Sequence, residues 1–457
     1  MMKIDPSKKF HLIGICGDGM SALARILNEM GSTVVGSDIQ HGERVEELRN
    51  MGIEVYVGHQ RSNLSRDTDL VIVSSAIDGE NPEIEEAKEL NIPIHQRLTA
   101  LADLMERKKA IGIAGTHGKS TTTTMAASLL QFANCDPTYM IGAECDKLGG
   151  NSRLGQGDHF LAEVDESDGH FLELSPDVSV VTNVGRDHLD TYKNEAEILE
   201  GFIEFVKQSN QSIICRDDDH SQQLIDAASD SFTFGIDNPA DLEANSIVQR
   251  GFETSFDLCF QGHSLGRATL PAPGRHNVYN ALAAMAVGYK AGLGFSEMMD
   301  LLSEIELPQR RFQVIKNNGS VVIDDYAHLP EEIEVTLEAV KNGWNPDRVV
   351  AIFQPHRFSR TKHINGQFGS SFELADLVVV TEIYPAFERP IPGITSQLIF
   401  QSIENHNGSR VQRILDRDEV LHFLQRNVKQ GDFLVGLGAG DVWKLTHQFS
   451  KLPVATR

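Results

Sequence analysis

Residues 114–125, AGTHGKSTTTTM, place two glycines, a lysine and a run of hydroxyls between a strand pattern, KKAIGIAG, and a helical one. Gly115 and Gly118 let the backbone approach phosphate oxygens, and the amides opening the next helix point at the anion. Lys119 supplies charge to β- and γ-phosphates, and the Ser120 hydroxyl is placed to ligate Mg²⁺. Thr116 and Thr121 complete the loop. The usual phosphate loop has a glycine five residues before Gly118, where Ile113 stands, so this loop is a shortened form. AEVDESD, residues 162–168, ends a strand with Glu163 and Asp165 and delivers carboxylates to the carboxyl edge of a sheet. Glu163, inside the strand pattern, is the expected metal ligand; Glu166 and Asp168 read as a solvated acidic turn. VVTNVGRDHLD, residues 180–190, leaves the next strand with Asn183 and His188, and a histidine there is placed to meet a metal or a phosphate.

A second glycine cluster, Gly14, Gly17 and Gly19, follows the strand FHLI and opens a helix with Met20 and Ser21. The dinucleotide fingerprint would need a glycine at Cys16, so the spacing argues against a nicotinamide site. It still suits a diphosphate held by helix amides. Asp38, ending the second strand, is a candidate for ribose or uracil; His59, Ser74, Ser75, Asn81 and Arg97 are weaker candidates nearby. Arg357 and Arg360, three apart, can clamp a carboxylate in a way lysines cannot.

Three alternating strand and helix runs must position these groups. The expected fold is α/β with three domains, each a largely parallel doubly wound sheet with helices on both faces: residues 1–106, 107–308 and 309–457. The first and last are Rossmann-like and the middle one resembles a phosphate-loop ATPase. Residues 243–270 alternate and read as a small antiparallel insert. The chain has 457 residues and a formal net charge of −24. Such a balance excludes non-specific nucleic-acid or acidic-membrane binding, so anionic substrates need local helix termini, placed cations and metal ions. No apolar run has the length of a membrane helix, the N-terminus lacks a signal core, and the five cysteines show no metal-type pairing, so a cytoplasmic protein is expected.

The short loop Gly115–Thr121 resembles the signature of the Mur ligases, the ATP-dependent amide-forming enzymes of peptidoglycan synthesis. GICGDGMSALA at 14–24, TNVGRDHLDTY at 182–192, PGRHNVYNALAA at 273–284, RRF at 310–312, DDYAH at 324–328 and FQPHRFSRT at 353–361 extend the likeness over some 400 residues. The resemblance implies joining UDP-N-acetylmuramate to L-alanine with ATP, or, in a sibling of the family, to a preformed peptide. It implies Mg²⁺ at two sites, with Mn²⁺ as a substitute, and a monomer or weak homodimer. Lys119 and Ser120 would serve ATP phosphate and metal, Glu163 the first metal and His188 the second. Asn277 and Asn280 would lie on the adenine side, Arg311 at the nucleotide phosphates and Asp325 at the ribose. Tyr326, His328, Arg357 and Arg360 would surround the amino acid and product. The first domain would hold the UDP-sugar. Four positions depart from the family pattern: Ser120 replaces the commoner threonine, Leu329 a second histidine, Cys16 a glycine and Asp18 a small apolar residue. Asp18 is expected to point outward, since it would repel a diphosphate.

Overall fold

The computed structural model describes residues 4–39, 41–77, 79–166, 170–185, 192, 194–316, 319–386, 388–407 and 410–454. Three sheets, built from successive stretches of chain, organise these residues. In the first, β1 (Lys9–Ile13), β2 (Thr33–Asp38), β3 (Glu54–Val57), β4 (Leu70–Val73) and β5 (Ile94–Gln96) lie in the order β3-β2-β1-β4-β5, all parallel. Crossovers from β1 run to both sides, so a crevice opens at the carboxyl ends of β1 and β4, where Gly14–Gly19 and Ser74 lie.

The second sheet contains ten strands among the described residues. Its centre is β6 (Lys109–Ala114), with β9 (His159–Glu163) on one side and β10 (Val178–Val181) on the other, all parallel. Beyond β9 lie β7 (Thr138–Met140) and β8 (Ser152–Arg153); beyond β10 lie β11 (Gln211–Cys215), β12 (Ser231–Gly235), β13 (Leu242–Arg250), β14 (Glu253–Phe260) and β15 (His263–Leu270). The alternating stretch is antiparallel, as expected, but its first strand joins the main sheet. β13 pairs in parallel with β12, and β14 and β15 continue antiparallel from it, so the hairpins extend the main sheet. Alternation in the sequence marks one face as half-solvated, but carries no record of the strand to which the hairpins attach.

The third sheet runs β16-β17-β21-β18-β19-β20, from Gln313–Lys316, Val321–Asp325, Phe433–Leu437, Val349–Phe353, Leu377–Val380 and Arg410–Arg413 respectively. Only the edge strand β16 is antiparallel. Its central strands are continuous apolar runs such as LVVV in β19, as expected of parallel strands covered on both faces. No helix of the described residues is long and apolar enough to cross a membrane.

Phe353 closes β18 with no exposed surface and packs against Phe368 and Phe372, ring centroids 5.2 and 5.4 Å away. Truncation would leave a cavity with little room to relax, so Phe353→Ala should cost about 3–5 kcal/mol, measured by denaturant unfolding followed through a third-domain probe.

Candidate active site

The loop after β6 is held from the neighbouring strand ends. Thr182 Oγ donates to the His117 carbonyl at 2.6 Å, Asn183 Oδ1 accepts the His117 amide at 2.8 Å, and Thr116 Oγ accepts the Gly185 amide at 2.7 Å. Gly115 has φ +132°, and a Cβ there would overlap the Thr182 hydroxyl. Gly118 has φ +81°, and a Cβ would overlap Asn280 Oδ1. Each glycine therefore serves a left-handed turn and a close approach at once. The helix Lys119–Phe132 starts directly behind the loop.

Lys119 Nζ donates to the Gly115 carbonyl at 2.6 Å and lies 2.9 Å from Glu166 Oε1. Burial opposes its charge, but Glu166 and Asp165 more than compensate and raise its pKa to about 12. Glu166 is therefore no solvated turn: it is 2% exposed and pairs with the loop lysine. The sequence pattern set it outside the strand, and only the fold turns that exit back beneath the loop. Ser120 Oγ donates to Glu163 Oε1 at 3.0 Å, and the Gly142 amide donates to Oε2 at 2.6 Å. Burial raises the Glu163 pKa against the pull of that amide and of Lys119.

A divalent cation fits this pair. Ser120 and Glu163 offer hard oxygens beside a loop built for phosphate, and a cation would relieve the burial that penalises the carboxylate. No cluster of three or more His, Cys, Asp or Glu suited to a metal occurs among the described residues. Mg²⁺ uses one or two protein oxygens, such as those of Ser120 and Glu163, and completes its shell with water and phosphate. His188 lies outside the described residues.

Two cavities meet at the loop. One, of about 370 Å³, is bordered by Gly118, Thr121, Asn277, Asn280, Arg311 and Asp325, the residues expected around ATP. Asn277 and Asn280 lie in the first turns of the helix Arg275–Lys290; Asn280 accepts from Thr122 Oγ at 3.2 Å and donates to Asn277 at 3.2 Å. Asp325 ends β17 and accepts the Phe312 and Ala327 amides, both at 2.8 Å, while burial raises its pKa to about 6. The other is a cleft of about 850 Å³ shared by the three sheets. Lys119, Ser120 and Glu163 line one wall, Gly19 and Arg97 another, and Tyr326, His328, Arg357 and Arg360 the third. Arg311 reaches both cavities with its guanidinium 4.8 Å from the Tyr326 ring centroid. Arg360 Nη1 lies 3.1 Å from His356 Nδ1.

The first domain supplies fewer cleft groups than the sequence suggested. Met20 is core, 1% exposed, and the Ser21 hydroxyl donates to the Asp18 carbonyl at 3.0 Å. Asp38 accepts the Cys16 amide at 2.9 Å, so it shapes the glycine loop. His59 turns away to Ser37 Oγ at 3.0 Å, in a buried network centred on Glu83, which meets His11 at 2.7 Å and Ser37 at 2.6 Å. Asn81 caps the helix carrying Glu83, accepting its amide at 2.9 Å. Gly14 bends at φ +81°, with its amide on the Ser37 carbonyl at 2.8 Å. Gly17 precedes the helix Asp18–Glu29. Ser74 caps the carboxyl end of β4 with its amide on Ile13 at 3.1 Å, and Ser75 is exposed beside it. Asp18 is not turned away: it lines the cleft, its side chain 64% exposed and 3.2 Å from Arg44 Nη2. Arg44 offsets the repulsion that the outward orientation was expected to avoid.

Sequence reasoning missed Arg310, whose guanidinium meets Asp324 at 3.3 Å and the Gly438 carbonyl at 2.5 Å. Arg310, Phe312 and Arg357 all have φ between +47° and +69°. Non-glycine strain of this kind concentrates where a site fixes the backbone.

Matches to models of three family domains follow the same order as the sheets. The Mur ligase family catalytic domain matches residues 9–109, the Mur ligase middle domain 113–288, and the Mur ligase glutamate ligase domain 310–440. The chain belongs to the Mur ligase family. Among Mur ligases it is 41% identical to the UDP-N-acetylmuramate–L-alanine ligase of Trichlorobacter lovleyi, covering 96% of this chain and 97% of that one. Against the enzyme of the same name from Geotalea uraniireducens the identity is 42%, covering 96% of each. The crystal structure of UDP-N-acetylmuramate-alanine ligase from Thermotoga maritima superposes with a TM-score of 0.84 at 31% identity, over 96% of this chain and 98% of that one.

Gly118→Ala combines a left-handed φ with the Asn280 clash, so it should weaken binding of a non-hydrolysable ATP analogue at least about tenfold by calorimetry. The first-domain unfolding transition should stay in place.

Proposed function

We infer that this Mur ligase joins the carboxylate of UDP-N-acetylmuramate to L-alanine at the expense of ATP, forming a peptidoglycan precursor. The observation that carries the reading is that the loop residues Lys119 and Ser120, the carboxylate of Glu163, and Arg357 and Arg360 line a single cleft. Full-length identity to relatives of that name supports it. The division at 1–106, 107–308 and 309–457 is likewise proposed, supported by the separation of the three sheets along the chain.

Both reacting partners are anions, so the chemistry needs charge compensation before it needs a nucleophile. Lys119 and Arg311 would face the ATP phosphates from opposite walls, with the base toward Asn277 and Asn280 and the ribose toward Asp325. Ser120 and Glu163 would hold Mg²⁺, or Mn²⁺ in its place, and His188 a second ion. The metal, when bound, supplies Lewis-acid stabilisation of charge on the transferred phosphoryl group. The substrate carboxylate attacks the γ-phosphorus and ADP leaves, giving an acyl phosphate. The L-alanine amine then attacks that carbonyl and phosphate departs. Arg357 and Arg360 would grip the alanine carboxylate, with Tyr326 and His328 beside them, and the glycine loop and Arg97 would hold the UDP-sugar. Walls on three sides limit water, which would otherwise consume the acyl phosphate.

Phosphate release from ATP should require UDP-N-acetylmuramate and L-alanine together; release with a peptide in place of L-alanine, and none with L-alanine, would overturn the reading. Lys119→Ala should lower kcat about 10²–10³-fold in the same assay while leaving the thermal midpoint near that of the parent.

A further inference from the structure

Glu332 lies at the third position of the helix Pro330–Trp344 and faces two sites at once. Its Oε1 is 3.1 Å from Nδ1 of His117, within the phosphate loop. Its Oε2 accepts the His328 amide at 2.9 Å and the Leu329 amide at 3.2 Å, and lies 3.3 Å from His328 Nδ1. His328 continues the contact. Its ring packs edge-on against His356, centroids 5.7 Å apart, and His356 Nδ1 meets Arg360. A side chain 17% exposed thus bridges the nucleotide loop to the arginine expected to hold the amino acid.

The phosphate loop does not need Glu332 for its shape, because Thr182 and Asn183 already hold the His117 backbone and the Gly185 amide holds the Thr116 hydroxyl. The third domain's helix needs an acceptor at this position, but an amide oxygen would serve as well. Neither local need accounts for a buried carboxylate. Burial opposes its ionisation, yet His328 and His117 hold its pKa well below the ordinary glutamate value. The carboxylate is therefore an anion between two histidines on different domains.

We propose that Glu332 is a positioning residue that couples nucleotide occupancy of the phosphate loop to the amino-acid side of the cleft. Anchoring the loop on ATP fixes His117; His117 fixes Glu332; Glu332 sets His328 and, through His356, Arg360. The two ligands then favour the same arrangement and assist each other's binding. The inference rests on the functional reading above.

The test is a double-mutant cycle on the full chain, scored by the KM for L-alanine at saturating ATP and UDP-N-acetylmuramate. Glu332→Gln keeps an oxygen for the helix amides and removes the anion; His117→Ala removes the loop-side partner. Each should raise that KM about tenfold, a typical size for coupling between sites. The double variant should be no more than about twofold worse than the poorer single one. Effects that multiply towards a hundredfold, or an L-alanine KM unmoved in Glu332→Gln, would overturn the coupling. Should Glu332→Gln fail to fold, His117→Ala alone reads the same quantity, and an unchanged KM again overturns it. A parent protein that releases no phosphate with the three substrates would defeat the functional reading itself, a result separate from the cycle.

Discussion

A lysine buried against carboxylates at the end of β6 sets the terms for this molecule. Lys119 is 14% exposed and would be costly to ionise there without Glu166 and its acidic neighbours. The pairing keeps a cation within the loop at the strand end. Glu163, at the end of β9, has the opposite problem: burial raises its pKa against the pull of the Gly142 amide, Lys119 and Ser120. A deep cation and a deep anion side by side make the strand ends both polar and rigid. The chain as a whole carries −24, yet Arg97, Arg310, Arg311, Arg357 and Arg360 are gathered around this cleft. The cleft lining thereby balances its cations against its carboxylates, where the chain as a whole is strongly negative.

The remaining architecture serves to keep three walls around that point. Arg44 and Arg25 of the first domain both meet Glu144 of the second. Between the second and third, the hairpin tip of β13 and β14 docks on the far end of the Pro330–Trp344 helix: the Gly251 amide donates to Gly343 at 2.9 Å and Phe252 packs edge-on to Trp344 at 4.5 Å. That helix is thus held at both ends, by the hairpin at one and by Glu332 at the other. The strained backbone at Arg310 and Phe312 lies in the connection between these domains, where Arg311 must face two cavities at once.

The phosphate loop, the placement of Glu163 at a strand end and the arginine pair were legible because each depends on local order: strand, turn, helix, and residues three apart. The doubly wound sheets were legible for the same reason, from alternating apolar runs. The first domain was less readable. Asp38, His59 and Met20 carried the right chemistry or position for a ligand, yet their side chains serve a backbone amide, a buried glutamate network and the core. A short polar residue after a strand looks alike in sequence whether it faces the crevice or closes the turn beneath it. Glu166 erred in the other direction, because its partner is 47 residues away.

Sequence alone therefore determined which residues can approach phosphate and where strands and helices alternate, since backbone conformation and apolar periodicity are properties of neighbouring residues. Tertiary structure decided which charges meet. Glu166 beneath Lys119, Arg44 beside Asp18, and Glu332 beside His117 are pairs separated by tens to hundreds of residues. Coulomb interaction and desolvation depend on distance and burial in space, and neither quantity is encoded in the order of the letters.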